Sequence, residues 1–401
     1  MPTVIARADP ETVRLLEAAL AGTPASEPAI AARLLARLSI ELYHSDRPRA
    51  RELSAEAVAL ARASNDASAL AAALDGRRVA LWAPEHADER LEVATAMVAA
   101  AEAAGDREAT LQGRNWRVVD LMELGRIDEA AAEVDAYAAL ADEVGLPHLR
   151  WYVPIWRGAL ALLTGHWAMA NALQNEALAL GRRADDPDAP LVVEIQRANA
   201  RYAQGRFADM DRERLAREAA ASPAPAEWLV QLALVDAETG DPESARRLVR
   251  ELSADGGRRL AMDANWHGVC VLAEAAATVG DREAGEVLHA LLAPHARLFP
   301  VVARGVGSLG SAELYLGRLA ALLGRHDEAA ARLRRAADAN ARAGSPVHEA
   351  IALFRLGELL AARPGDGHEA RHVLQHAGRL ASELCITDLA SRAAHLLDAH
   401  P

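Results

Sequence analysis

The stretch Gly165-His-Trp-Ala-Met-Ala170 decides how the rest of the chain is read. A glycine, a bulky residue two places on and an alanine five places on punctuate two helices that meet at a tight turn. The glycine takes a left-handed backbone at little cost, and the alanine lets antiparallel helices cross closely. Working outward, turns in the same phase stand at Gly125-Arg126-Ile127 and Gly205-Arg206-Phe207, and earlier at Ser45-Asp46-Arg47. A weaker one, Pro84-Glu85-His86, fills the remaining early slot. Towards the C-terminus come Gly240-Asp241-Pro242, Gly280-Asp281-Arg282, Gly324-Arg325-His326 and Gly365-Asp366-Gly367. Positions 45, 85, 125, 165 and 205 are evenly spaced without drift, and the later intervals are 35, 40, 44 and 41.

Five residues after each turn stand Ala50, Arg90, Ala130, Ala170, Met210, Ala245, Gly285, Ala329 and Ala370, small in seven of nine cases. Leu35, Leu38 and Leu42, and likewise Val118, Met122 and Val134, supply an apolar seam at helical spacing. A single helical hairpin leaves that seam uncovered, so neighbouring hairpins must stack on it. The expected fold is an all-α, right-handed superhelical α-solenoid of about nine helix-turn-helix repeats of about 40 residues, over roughly residues 27–398. Alternation with period two is absent over any length; Leu298–Ala303 is the most strand-like stretch, and Pro300 interrupts it. The expected organisation is an N-terminal extension and helix over 1–26, regular repeats over 27–221 and less regular repeats over 222–401. The second division falls where Ala219–Pro225 carries Pro223 and Pro225 and the interval shrinks to 35.

At 401 residues, 51% apolar and 25% charged, the chain can bury a large core, which excludes disorder and a disulfide scaffold. Alanine-rich blocks such as Ala69–Ala73 and Ala130–Ala132 favour helix. The net charge of −13, with no run of Lys and Arg, argues against nucleic acid as a direct partner. No apolar stretch reaches the roughly 18 residues of a membrane span, and Met1-Pro2-Thr3 opens no basic-then-apolar leader. A cytoplasmic protein is expected. Cys270 and Cys385 lie in no metal-binding or redox spacing and read as small core residues.

The Gly-x-aromatic-x-x-Ala turn resembles that of tetratricopeptide repeats, although the repeating unit here is longer than that family's usual one. Asn115-Trp-Arg-Val-Val-Asp-Leu-Met-Glu-Leu-Gly-Arg126 and Tyr315-Leu-Gly-Arg-Leu-Ala-Ala-Leu-Leu-Gly-Arg325 resemble the helical sensor region of large actinobacterial regulators of the LuxR and MalT-like type. They also resemble the matching tail of ATPase-linked, cyclase-type regulators. That resemblance implies a sensor solenoid beside an ATPase domain and often a helix-turn-helix domain. The sequence has no GxxxxGK[ST], and Leu396-Leu397-Asp398 is read as part of the last hairpin. Neither ATP-driven assembly nor DNA binding is therefore expected of it.

Eight residues before the first five turns stand Arg37, Arg77, Arg117, Arg157 and Arg197, again at a spacing of 40. Leu232, Leu272, Leu316 and Gly357 occupy the slot afterwards. Stacked helices lie about 10 Å apart, where two like charges in water repel by roughly 0.4 kcal/mol. Two readings stay open. The arginines line a concave face and take an anionic ligand or acidic peptide with their planar donor forks. Alternatively, each bridges to a carbonyl or carboxylate on an adjacent hairpin and holds the stack.

Trp116 and Trp156 stand in matching positions beside this ladder, with Asn115, Asn199 and Tyr202 in the same helical layer. Apolar walls with a few polar groups describe a small-molecule pocket; the alternative is that the tryptophans fill gaps between hairpins. The candidate ligand-binding residues are thus Arg77, Arg117, Arg157, Arg197, Trp116, Trp156, Asn115, Asn199 and Tyr202. Asp120 and Glu123 are a possible acid/base pair or counter-charges for the ladder. His267 and His148 could sit near a groove, whereas His86, His166, His326 and His368 read as turn or outer-face residues. Gly305-Val-Gly-Ser-Leu-Gly310 matches GxGxxG but lacks the surrounding βαβ unit, and reads as a loop leading into a helix. HExxH, GxSxG and zinc spacings are absent, so no catalytic residue, metal or cofactor is expected.

These observations lead first to a non-enzymatic regulatory or sensory module. It would hold a small anionic or amphipathic effector, or a peptide, in a concave groove and signal to a protein partner. A pure protein-interaction scaffold is the second reading, and a cofactor-free enzyme of cyclase or isomerase type using the solenoid cavity is the third.

Overall fold

The computed structural model describes residues 9–222, 225–258, 260 and 265–399, the side chain of residue 265 excepted. Residues 1–8 of the expected N-terminal extension, and Pro223 of the expected divide, lie outside them.

Among the described residues, helix α1 (Pro10–Ala21) precedes nine hairpins. In chain order they pair α2 (Pro28–Leu42) with α3 (Arg47–Ser64), α4 (Ala67–Ala80) with α5 (Ala87–Ala103), and α6 (Arg107–Glu123) with α7 (Ile127–Val144). After the short α8 (Pro147–Arg150) come α9 (Tyr152–Leu163) with α10 (Trp167–Arg183), and α11 (Ala189–Ala203) with α12 (Arg212–Ala221). Then follow α13 (Ala226–Thr239) with α14 (Pro242–Ser253) and α15 (Asn265–Val279) with α16 (Arg282–Leu292). The last two pairs are α17 (Ala312–Leu322) with α18 (His326–Arg342), and α19 (Pro346–Ala361) with α20 (Gly367–Glu383). Leu396-Leu397-Asp398 does not belong to the ninth hairpin. It lies in α21 (Thr387–Ala399), an added helix packed on α19 and α20.

The turn chemistry produces this order. Gly125, Gly165, Gly205, Gly240, Gly280, Gly324 and Gly365 all adopt positive φ, where a side chain would strain the backbone. The alanines at the crossing slot, from Ala50 to Ala370, are at most 2% exposed. At Gly285 an added Cβ would lie 2.8 Å from Leu322. A second punctuation series separates one hairpin from the next: Asn65, Gly105, Gly145 and Asp185, evenly spaced like the turns, end their helices in the left-handed region.

Contacts divide the chain into two compact units. The first comprises 1–124, 129–153 and 180–188, and the second 125–128, 154–179 and 189–401. The expected divide at residue 222 is a different cut and falls inside the second unit. Within the first unit α2 packs on α4 and α4 on α6, so the leading helices of successive hairpins stack. In the second unit α13, α15, α17, α19 and α21 stack in the same way. Glu274 of α15 stitches three of them, accepting from Arg318 of α17 at 3.1 Å and Arg355 of α19 at 2.8 Å. Burial opposes its charge, yet the two guanidiniums hold its pKa below the usual value.

Val301–Val302 pairs antiparallel with Gly307–Ser308 in a two-residue ladder, so the strand-like stretch does pair, briefly. Cys270 is buried as expected, but Cys385 is exposed. It occupies a left-handed turn position after α20, at φ 56°, between Leu384 and the buried Ile386, which take the core side of the turn.

Candidate functional site

The arginine ladder is engaged by protein groups. In the first unit Arg37 pairs with Glu41 on its own helix. Arg77 of α4 reaches Glu89 of α5 at 2.8 Å and the Arg51 carbonyl of α3 at 3.3 Å. Arg117 of α6 reaches Glu133 of α7 at 3.1 Å and the Thr95 hydroxyl of α5 at 3.3 Å. In the second unit Arg197 of α11 reaches Glu194 at 2.5 Å and Asn175 of α10 at 2.8 Å. Arg77, Arg117 and Arg197 each grip the trailing helix of the preceding hairpin, which is the stack-holding geometry. Arg157 is exposed. None of the five lines the cleft described below.

Asp120 and Glu123 are counter-charges, but to other arginines. Arg78 meets Asp120 through Nη2 at 2.6 Å and Nε at 3.2 Å, and Arg90 meets Glu123 at 2.7 Å, with all four residues buried. Burial lowers the basicity of Arg78 against the pull of Asp120, whereas Glu123 and Asp120 outweigh burial at Arg90 and raise it. The Arg78 guanidinium lies 3.9 Å over the Trp116 ring and 4.8 Å over Trp82. Trp116 is 1% exposed and donates its indole N–H to Asp75 at 2.6 Å; Asn115 beside it is also buried. These residues form an ion-pair core inside the first unit. Arg90 explains one exception in the crossing slot, since its side chain is the cation of that core.

In the second unit a buried loop joins α16 to α17, and several of the sequence-selected residues engage it. Trp156 is fully buried and donates to the Arg304 carbonyl at 2.9 Å. The Asn199 side chain faces Gly307, where an added Cβ would lie 3.2 Å away. Tyr202 meets the hydroxyl of Tyr315 at 3.2 Å, and Tyr315 donates to the Leu309 carbonyl at 2.8 Å. Gln196 adds a bond to the Val306 carbonyl at 2.7 Å. The GxGxxG match is this loop: it ends at Ser311, the N-cap of α17. At Gly310, φ is +70° and an added Cβ would sit 2.6 Å from His348.

Beside this loop the second unit carries a cleft enclosing about 860 Å³, open mouth included. Leu191, Ile195, Leu215, Trp228, Val271 and Leu309 supply its apolar walls, with Met210 among them. Met210 is the other exception in the crossing slot. There α12 starts only at Arg212, after a one-turn 3₁₀ segment, so the hairpin is shortened where it borders the cleft. Asn199 and Tyr202, of the expected ligand residues, line this cleft; Arg77, Arg117, Trp116, Asn115, Trp156 and Arg197 do not.

Polar groups without partners converge on the same cleft. His267 is 2% exposed, its Nδ1 has no hydrogen-bond partner, and burial lowers its pKa to about 4, so it is neutral. Glu227, in the first turn of α13, has neither ion pair nor hydrogen bond among the described residues. Withdrawal from water pushes its pKa up to about 7. Arg201, half-buried on α11, also lacks a partner among the described residues. The nearby charges are committed: Arg214 to Glu194 and Glu218, and Asp211 to capping α12. Sequence reading reached His267 as a groove residue but missed Glu227 and Arg201, because in a chain with 57 acidic and 44 basic residues single charges carry no signal.

No family model matches the chain, and no curated relative matches it. Among solved structures, one similar chain is a circular tandem repeat protein with novel repeat topology and enhanced subunit contact surfaces. It is 18% identical, with 97% of this chain and 87% of that one covered and a TM-score of 0.17. At that score the likeness adds nothing to the repeat architecture described above. Among the described residues no group of His, Cys, Asp and Glu is arranged to hold a metal ion, and no helix is long and apolar enough to cross a membrane.

Proposed function

We propose that the chain is a ligand-responsive regulatory module. Its second unit takes a small amphipathic effector carrying an anionic group in the cleft between α11, α12, α13 and α15, and the bound state alters its contacts with a protein partner. The observation that supports this most is the convergence of unpartnered Glu227, His267 and Arg201 on one apolar-walled cleft. His267 is buried with an open ring nitrogen, and a buried polar group left without a partner costs about 1–3 kcal/mol; Glu227 and Arg201 stand half-buried on the same cleft. A binding role, rather than catalysis at Asp120 and Glu123, is supported by the way Arg78 and Arg90 occupy those carboxylates. The resemblance of the Asn115–Arg126 and Tyr315–Arg325 stretches to regulator sensor regions points the same way.

A metabolite panel in a thermal-shift assay tests the proposal, run on the wild type and on Ala198→Trp, which fills the cleft. Compounds that raise the midpoint of the wild type and not of Ala198→Trp support it. A panel that stabilises neither protein, or both equally, contradicts it.

A further inference from the structure

The unpartnered ionisable groups of the cleft are one acid and one base. Glu227 stands at the start of α13 and Arg201 near the end of α11, and both line the same apolar space without an ion pair to each other or to any described residue. Arg214 already holds Glu194, and Asp211 already accepts from the α12 backbone. A ligand with only an anionic group would satisfy Arg201 and leave Glu227 stranded. One with only an amine would do the reverse. An apolar molecule carrying a cationic amine and a carboxylate satisfies both, with its body against Leu215, Trp228 and Val271. His267, neutral and with an open ring nitrogen, and Asn199 remain to meet amide or hydroxyl groups along that body.

We infer that the effector of this cleft is zwitterionic and apolar in its middle, of the chemical class of a short peptide with free termini. Its amine meets Glu227 and its carboxylate meets Arg201. This rests on the proposed function above and names the ligand class for the same site. The Glu227 carboxyl binds a proton near neutrality when the cleft is empty, and a cation beside it expels that proton. The other ionisable groups on the cleft are Glu194, Arg201, Tyr202, Asp211, Arg214 and His267. Of these, Tyr202 is pushed up by burial, and His267 is already neutral at pH 7.

The test is isothermal titration calorimetry at pH 7 with apolar di- and tripeptides built from Leu, Val and Ile. Each is used with free termini, with the amine acetylated, with the carboxylate amidated, and with both blocked. At least one free peptide should bind, and blocking either end should weaken it by tenfold or more. The free peptide should release protons, seen as a binding enthalpy that changes with the ionisation enthalpy of the buffer, and the acetylated one should not. Glu227→Gln should remove the proton release and lose affinity only for peptides with a free amine. Arg201→Gln should lose affinity only for those with a free carboxylate. Equal binding of blocked and free peptides would overturn the zwitterion assignment while leaving the cleft as the site. So would peptides that fail where other compounds of the panel bind and lose binding in Ala198→Trp. If no compound of any kind binds at the cleft, the functional reading itself falls.

Discussion

Two side chains break the small-residue rule at the helix crossing, and each marks a place where a unit does something besides stack. Arg90 replaces an alanine-sized residue and enters the core with Arg78, Asp120 and Glu123. Removing one member of such a buried set leaves a charge uncompensated, whereas removing both partners need not. Arg90→Met should therefore cost about 3–5 kcal/mol in urea unfolding, and adding Glu123→Gln should recover most of that. If the double variant is as unstable as the single one, the pair is not coupled. The ladder predicts the opposite scale. Arg117 is partly exposed, so Arg117→Ala should cost no more than about 1 kcal/mol. Two buried histidines add to the loss of stability in acid. His348, in the first turn of α19, carried no signal in the sequence, but it packs against Gly310 and bonds the Ser345 hydroxyl at 2.8 Å. Its pKa and that of His267 are lowered by burial to about 4. The unfolded chain binds protons at these rings below about pH 6.5, so stability is full above that and is lost as pH falls towards 4. Each ring contributes about 3 kcal/mol to that slope at most. Unfolding titrations of His348→Asn should show a flatter acid arm between pH 6.5 and 4; an unchanged arm would show that the ring is not buried as described.

At the scale of elements, the loop between α16 and α17 is the piece whose role the sequence concealed. Its glycines and short apolar run read as a linker, and the turn spacing merely lengthens there. In the fold it is buried and held by side chains from far along the chain, among them Trp156 and Gln196. Gly310→Ala should destabilise by about 2 kcal/mol or more, because it combines a positive φ with overlap on His348. Gly105→Ala, with positive φ and nothing within 4 Å, should cost less. Equal midpoints in urea for the two would contradict the buried role of the loop. The hairpins themselves were legible because turn, crossing residue and apolar seam are local and recur together in one phase. The cleft was not, because it depends on which charges find partners across α11, α13 and α15, and a period says nothing of that. Asn199 and Tyr202 were found by their place in the helical layer. Trp116 and Trp156 shared the layer but are enclosed, the first by Arg78 and Trp82 and the second by the loop.

At the scale of the whole molecule, the repeat supplies walls, and the two departures from it lie at a buried ion-paired core and at the cleft. In the first unit the departure builds an ion-paired core, and in the second it borders a cleft on which Glu227, Arg201 and His267 lack side-chain partners among the described residues. Glu227 itself gives an equilibrium signature. Its raised pKa means the folded state is favoured below the unfolded value of about 4.5, and that this advantage is lost as pH rises towards 7. Glu227→Gln should therefore be the more stable protein at pH 8, and a loss of stability there would mean that the carboxylate has a protein partner. The most direct test of the central claim is hydrogen exchange of the full chain with and without a compound that raises its thermal midpoint. The account predicts added protection over residues 191–202, 210–215, 226–231 and 267–271. Protection confined to the Arg77 and Arg117 helices, with those four segments unchanged, would contradict it.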